Sequence, residues 1–196
     1  MKAVLATRSR GKLGELVPLL AGLGLELYTI DDVAPGVELR EDGATFEENA
    51  LAKARQAARA TGLPAIADDS GLEVDALNGA PGVHSARYAG LPSDDARNNE
   101  KLLQALADVP PERRGGRFRC VAAFVELAGG VEIVRSGDCS GELLSAPRGS
   151  GGFGYDPLFL LPALGRTMAE LTLEEKNRLS HRAVAFRALA AALAAR

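Results

Sequence analysis

The residue types able to do chemistry gather in four places. At Asp68-Asp69-Ser70-Gly71, two adjacent carboxylates follow a short apolar run, Ala65-Ile66-Ala67. Neighbouring aspartates repel, and burying both is costly without a cation beside them. Oxygen ligands of this kind suit Mg²⁺, and Glu41, in an acidic loop upstream, extends the set. The same residues also have the chemistry of a solvated turn, and both readings stand on these residues alone. At Thr7-Arg8-Ser9-Arg10-Gly11-Lys12, hydroxyl, basic and glycine residues lie between an apolar run and a leucine-patterned segment. Backbone N–H groups at a helix start, reinforced by Lys12, can receive a phosphate. The spacing is not that of a Walker loop, and an ordinary strand–helix connection is the plainer reading.

The third place is the glycine-dense stretch Arg148 to Pro157, with Phe153, Gly154, Tyr155 and Asp156 at its centre. Glycine-flanked aromatics can present a flat face to a base; the alternative is a loop whose aromatics plug the core. The fourth is Lys176 with Ser180-His181-Arg182. These suit a phosphate or a base edge, or else a helix cap with two solvated cations. Lys53 lies among alanines on a helical pattern, where a long cation snorkels to solvent or points into a cleft. Snorkelling is the simpler reading.

These groups need a frame. Lys2 to Thr7 reads as a buried strand, and Leu13, Leu16, Val17 and Leu20 give a helix face with Pro18 inside it. Leu25 to Ile30 reads as a second strand ending at Asp31-Asp32. Thr45-Phe46-Glu47-Glu48 is a capping box for a helix that runs to about Thr61 and stops at Gly62. The apolar run before Asp68 is a strand end, and Leu72 to Leu77 has weak strand character. A helix starts at Ser93-Asp94-Asp95, turns Leu102, Leu103 and Leu106 inward, and closes at Pro110-Pro111. Phe118 to Leu127 and Val131 to Ser136 form a hairpin turning at Gly129-Gly130, with a separate strand from Asp138 to Leu144. Leu158 to Leu161 returns to strand. Leu173 to Asn177 begins a polar turn or helix, and Ala183, Phe186, Leu189, Ala190 and Leu193 mark a C-terminal helix.

The 196 residues suit one domain, or two small lobes sharing a core. A net charge of −3 provides no general polyanion-binding surface, so a phosphate ligand needs a local basic cluster, and nucleic acid is not an expected partner. No apolar run is long enough to span a bilayer, and Met1 to Thr7 lacks the core of a signal peptide. The two cysteines, Cys120 and Cys139, read as buried thiols rather than a disulfide or a zinc site. A cytoplasmic location is the expectation.

Taken together and in order, the motifs resemble those of the inosine/xanthosine triphosphate pyrophosphatase family. They are Thr7-x-x-x-Gly11-Lys12, Thr45-Phe46-x-Glu48-Asn49-Ala50 with Lys53-Ala54, Ala67-Asp68-Asp69-Ser70-Gly71-Leu72, Gly79-Ala80-Pro81-Gly82, Ser85-Ala86-Arg87-Tyr88, Gly152-Phe153-Gly154-Tyr155-Asp156-Pro157 and Ser180-His181-Arg182. They cover nearly the whole chain. The resemblance implies an α/β fold: an elongated mixed central sheet flanked by helices, in two lobes with the active-site cleft between them. It implies hydrolysis of ITP, dITP and XTP between the α and β phosphates, with Mg²⁺ as cofactor and a homodimer as the assembly.

By the same resemblance Asp69 is the proton acceptor for the attacking water and a metal ligand, with Glu41 and Asp68 completing the metal environment. Residues Thr7, Arg8, Ser9, Arg10, Gly11, Lys12, Lys53, Ser70, Phe153, Gly154, Tyr155, Asp156, Lys176, His181 and Arg182 bind substrate. Lys12, Lys53 and Lys176 bracket the triphosphate, and Phe153 stacks on the purine. His181 and Arg182 donate to the 6-oxo group, which adenine replaces with a donor amine, leaving buried donors mismatched. The chain departs from the family at the first loop, where Arg8-Ser9-Arg10 stands in place of the usual Gly-Asn-x. A Maf-like pyrophosphatase and a nucleotide sensor without turnover are the competing readings. Ser180-His181-Arg182 and the Phe153 loop argue against the first. The full set of Glu41, Lys53, Asp68 and Asp69 argues against the second.

Overall fold

The computed structural model describes residues 1–195. Seven strands form one mixed sheet in the order β2-β1-β3-β4-β5-β6-β7. They are β1 (Lys2–Leu5), β2 (Glu26–Thr29), β3 (Ala65–Val74), β4 (Gly115–Glu126), β5 (Val131–Leu143), β6 (Phe159–Leu161) and β7 (Arg166–Thr167). The helices are α1 (Arg10–Leu20), α2 (Ile30–Val33), α3 (Phe46–Thr61), α4 (Asp95–Ala105), α5 (Leu173–Leu179) and α6 (His181–Ala194). β1 pairs in parallel with both β2 and β3, as helical crossovers require. β5–β6 and β6–β7 are antiparallel. No helix among the described residues is long and apolar enough to cross a membrane.

The chain divides into two compact units. One comprises Met1–Asp69, Cys120–Gly137 and His181–Arg196; the other comprises Ser70–Arg119 and Asp138–Ser180. The first has a core built on Leu5, Leu16, Ile66, Phe124 and Phe186. In the second, Leu72, Leu102, Phe118, Leu158 and Phe159 come together. β3, β4 and β5 each contribute residues to both units.

Local signals explain much of this frame. Thr45 caps α3 by accepting from the Glu48 N–H, and Gly62 closes it at φ +68°, a conformation that suits glycine. The Glu48 carboxylate accepts from Ala44 N–H. Four residues join β4 to β5, too few for anything but an antiparallel hairpin.

Four expectations are corrected. β3 does not stop at the aspartates: it runs from Ala65 through Asp68, Asp69 and Gly71 to Val74, so no turn forms there. The cations described below remove the cost that would otherwise break the strand. β5 is one continuous strand through Gly137, not two. A Cβ at Gly137 would lie 2.5 Å from both the Ala185 nitrogen and the His181 oxygen, so the missing side chain is what lets the start of α6 lie against the strand. Ile30 begins α2 rather than ending β2, because Thr29 and Asp32 form a capping box around it. Finally, α1 starts at Arg10, with Ser9 as its cap, so Gly11 and Lys12 belong to the first helical turn.

Candidate active site

In the first unit, charged side chains from four places converge on β3: α1, the loop before α3, α3 itself and α6. Lys12 Nζ lies 2.9 Å from Asp68 Oδ2. Arg182, on the first turn of α6, donates through Nη1 to Glu15 Oε2 at 2.9 Å, and its Nε lies 3.9 Å from Asp68 Oδ2. On α3, Lys53 Nζ pairs with Glu41 and lies 3.8 Å from Asp69 Oδ1. Asn49 Nδ2 donates to Asp69 Oδ2 at 3.0 Å. Asn49 and Lys53 are four residues apart and so share one face of α3.

Adjacent strand residues project to alternate sides of a sheet, and the two aspartates have different partners. Asp68 takes Lys12 and Arg182, while Asp69 takes Asn49 and Lys53. All these groups except Lys12 and Glu41 are buried. Burial raises the Asp69 carboxyl above its ordinary range; Lys53, Lys12 and the Asn49 hydrogen bond oppose that rise, and Glu41 adds to it. Burial disfavours the Lys53 ammonium, but Asp68, Asp69 and Glu41 outweigh it and hold the group above its usual value. Lys53 is therefore a fixed positive charge at neutral pH. It does not snorkel, because its counter-charges lie inside.

The first loop is partly self-satisfied. Thr7 Oγ1 accepts from Ser9 N–H at 3.2 Å, and Ser9 Oγ accepts from Lys12 N–H at 3.4 Å. Arg8 turns to α2 and the segment after it, with Nε on Asp31 and Nη2 on the Val37 carbonyl, both at 2.7 Å. Arg10 and Gly11 are exposed.

His181, buried at the start of α6, also belongs to the first unit, and the second unit holds the other predicted residues. Ser70 is half-buried on β3. Phe153 is half-buried, and Lys176 Nζ lies 5.2 Å from its ring centroid. Lys176 is itself buried and pairs with Asp156 Oδ2 at 2.8 Å, so it stands with the aromatic ring. Asp156 Oδ2 also accepts from the Phe153 N–H at 3.0 Å. A Cβ at Gly152, where φ is +73°, would meet that oxygen at 2.1 Å. Tyr155 is the aromatic that plugs the core: it is 4% exposed and donates its hydroxyl to the Ser85 carbonyl.

Of the predicted metal set, Glu41 and Asp69 meet around Lys53, while Asp68 meets Lys12. Among the described residues no three acidic, histidine or cysteine side chains form a ready-made cage. Two residues that complete the pattern, Asn49 and Glu15, have no role that the sequence reveals, although Asn49 lies within the Thr45 to Ala50 motif. Asn49 has a signal in its four-residue spacing from Lys53. Glu15 follows Lys12 by three residues, but between leucines on an amphipathic helix a glutamate reads as solvated.

Comparison with known proteins places the chain in a defined company. A sequence model of the Ham1 family matches residues 3–192. A relative from Geobacter sulfurreducens named dITP/XTP pyrophosphatase is 54% identical over 181 residues, covering 92% of this chain and 90% of its own. One of the same name from Yersinia pseudotuberculosis is 53% identical over 194 residues, 98% of each chain. The solved structure of a HAM1 protein from Coxiella burnetii has a TM-score of 0.90 at 43% identity, covering 100% of both chains.

Proposed function

The chain belongs to the Ham1 family, and on that premise we propose that it hydrolyses non-standard purine nucleoside triphosphates such as dITP, ITP and XTP to the monophosphate and pyrophosphate. The observation that carries this is the identity above one half, over nearly the whole chain, with relatives named dITP/XTP pyrophosphatase. One water adds across the α–β anhydride; one proton leaves that water, and the departing oxygen stays with the β phosphate.

The charges in the first unit support this chemistry. A polyanion must be neutralised before water can attack it, and Lys12 and Lys53 are held ready by their carboxylates. Asp69 takes the proton from the attacking water. A buried carboxylate raised above its ordinary range is a better base than a solvated one, and the Asn49 hydrogen bond fixes its orientation. Mg²⁺ belongs to this reading, with Glu41, Asp68 and Asp69 as its ligands. The donor set fits a hard cation: the oxygens are all carboxylate, and the Lys53 ammonium already sits between Glu41 and Asp69. Mg²⁺ commonly takes one or two carboxylates and fills its remaining positions with water and substrate phosphates, so a closed protein cage is not needed. When bound, it supplies charge neutralisation and polarises water.

In the second unit, Phe153 is assigned to stack on the purine, and Lys176 holds the ring's surroundings through Asp156. His181 and Arg182 are the donors to a 6-oxo group; the bond to Glu15 uses one of Arg182's five donors. The resemblance also carries a homodimer and a cytoplasmic location into this reading.

A panel of nucleoside triphosphates, assayed with Mg²⁺ for pyrophosphate and orthophosphate separately, tests it. Pyrophosphate from ITP, dITP and XTP, formed far faster than from ATP or GTP, is expected. Asp69→Asn is expected to bind ITP and turn it over very slowly. Orthophosphate as the first product, equal turnover of ATP, or a pyrimidine preference refutes the reading. Near-normal turnover by Asp69→Asn removes that residue from the base role.

A further inference from the structure

A loop with glycines at φ +73° (Gly152) and φ +60° (Gly154) has a costly backbone to order, and its peptide groups need partners. Around Phe153 those partners are side chains. Asp156 takes the Phe153 N–H, as described. Gly154 is gripped on both sides of its Cα by α4: its N–H, in the Phe153–Gly154 peptide, donates to Asp95 Oδ2 at 2.7 Å, and its C=O, in the Gly154–Tyr155 peptide, accepts from Asn99 Nδ2 at 2.8 Å. Asp95 and Asn99 are four residues apart, hence on one face of the helix. Asn99 Nδ2 also donates to the Asp95 carbonyl at 2.8 Å. Both acceptors are carbonyl oxygens, so chemistry fixes which way the amide points. The following residue, Tyr155, is anchored in the core by its bond to Ser85. Phe153 thus projects from a segment whose backbone is held on either side.

We propose that Asp95 and Asn99 are positioning residues for purine recognition: by clamping the two peptides that flank Gly154 they hold the Phe153 ring in its stacking orientation before substrate arrives. A ring already in place loses less freedom on binding. This inference rests on Phe153 being the stacking surface. Neither residue touches the phosphates or Asp69 in this assignment, so their effect falls on binding of the base and not on the chemical step.

The test is a kinetic double-mutant cycle with ITP and Mg²⁺ on the full chain. Asn99→Ala and Asp95→Ala are each expected to raise KM about five- to tenfold with kcat changed less than about twofold, the mark of lost binding common to ground and transition states. Asp95→Asn keeps an oxygen acceptor and recovers most of what Asp95→Ala loses. Inhibition by inorganic tripolyphosphate, which has no base, stays as in the parent. Adding Asn99→Ala to Phe153→Ala causes no further rise in KM, because the clamp acts through the ring. If Phe153→Ala leaves KM unchanged, the stacking surface itself is wrong and the clamp falls with it. If Phe153→Ala raises KM but Asn99→Ala and Asp95→Ala do not, or if the effects simply add, stacking survives and the clamp is refuted. Asp95 is exposed, so its variants serve even if Asn99→Ala does not fold.

Discussion

The Glu15–Arg182 pair can be tested as a buried ion pair by replacing each partner with leucine, singly and together. The side chains are 4% and 8% exposed and their charged atoms are 2.9 Å apart. At an effective dielectric constant of about 20, two unit charges at that distance attract by about 6 kcal/mol. Desolvation of both ions takes back most of it, so the intact pair adds little net stability. Removing one partner is different, because the survivor keeps the cost of burial; the expected loss is about 3–5 kcal/mol. For a chain of this length each kcal/mol lowers Tm by roughly 2–4 °C, so a single variant melts about 6–20 °C lower.

The two singles are not equal. After Glu15→Leu, Arg182 still has Asp68 at 3.9 Å; Arg182→Leu takes a cation from Asp68 as well as from Glu15. Arg182→Leu therefore sits at the costlier end of the range. In the double variant the Glu15 burial cost disappears, and Asp68 keeps Lys12 at 2.9 Å. It should be more stable than the sum of the single losses by at least about 2 kcal/mol, within the range seen for directly coupled residues. Guanidinium unfolding followed by far-ultraviolet circular dichroism gives the three values, with unchanged m values securing the comparison. Losses that add to within about 0.5 kcal/mol, as independent sites do, refute the coupling.

Lys53→Met keeps the side chain's length and removes the ammonium between Glu41 and Asp69. Its kcat/KM for ITP should fall about 10²–10³-fold, as when a preorganised charge-stabilising group is lost; a fall under fivefold in steady-state assays refutes the assignment. The Asp69 carboxyl, already raised by burial, rises further without Lys53. An acid whose folded pKa exceeds its unfolded value contributes stability at low pH that is lost as pH rises through the folded pKa. The variant's Tm deficit, measured with chelator present, should therefore be smaller at pH 5 than at pH 8. Gly137→Ala places a Cβ 2.5 Å from two backbone atoms of α6, and calorimetry should show a loss of about 1–3 kcal/mol, typical of overpacking, or more.

Elements with signals inside themselves were legible in the sequence. The Thr45 cap and Gly62 stop bracket α3, the hairpin turn falls within Leu127–Gly130, and α6 shows its apolar face. The errors share one cause. Two aspartates and a glycine are poor strand residues by local preference, and β3 runs through them because Lys12, Lys53 and Arg182 arrive from α1, α3 and α6. The same remote pairing hides Glu15 and buries Lys53. Arg8 reads as a phosphate ligand in its loop, yet Asp31 and the Val37 carbonyl, more than 20 residues on, take its guanidinium.

That remote pairing also sets an order of events during synthesis. Asp68 and Asp69 leave the ribosome with Lys12 and Lys53 already made, but Glu15 waits for Arg182, 167 residues later. Between Asp69 and Arg182 lie all of the second unit's residues. At roughly 5–20 residues per second that interval lasts on the order of 6–23 s, during which a nascent chain carries Glu15 without its partner and, once Gly137 has been made, a β5 groove there without α6. The first unit, begun first, is therefore finished last. Emergence of α6 from the ribosome is the step that closes its charge balance.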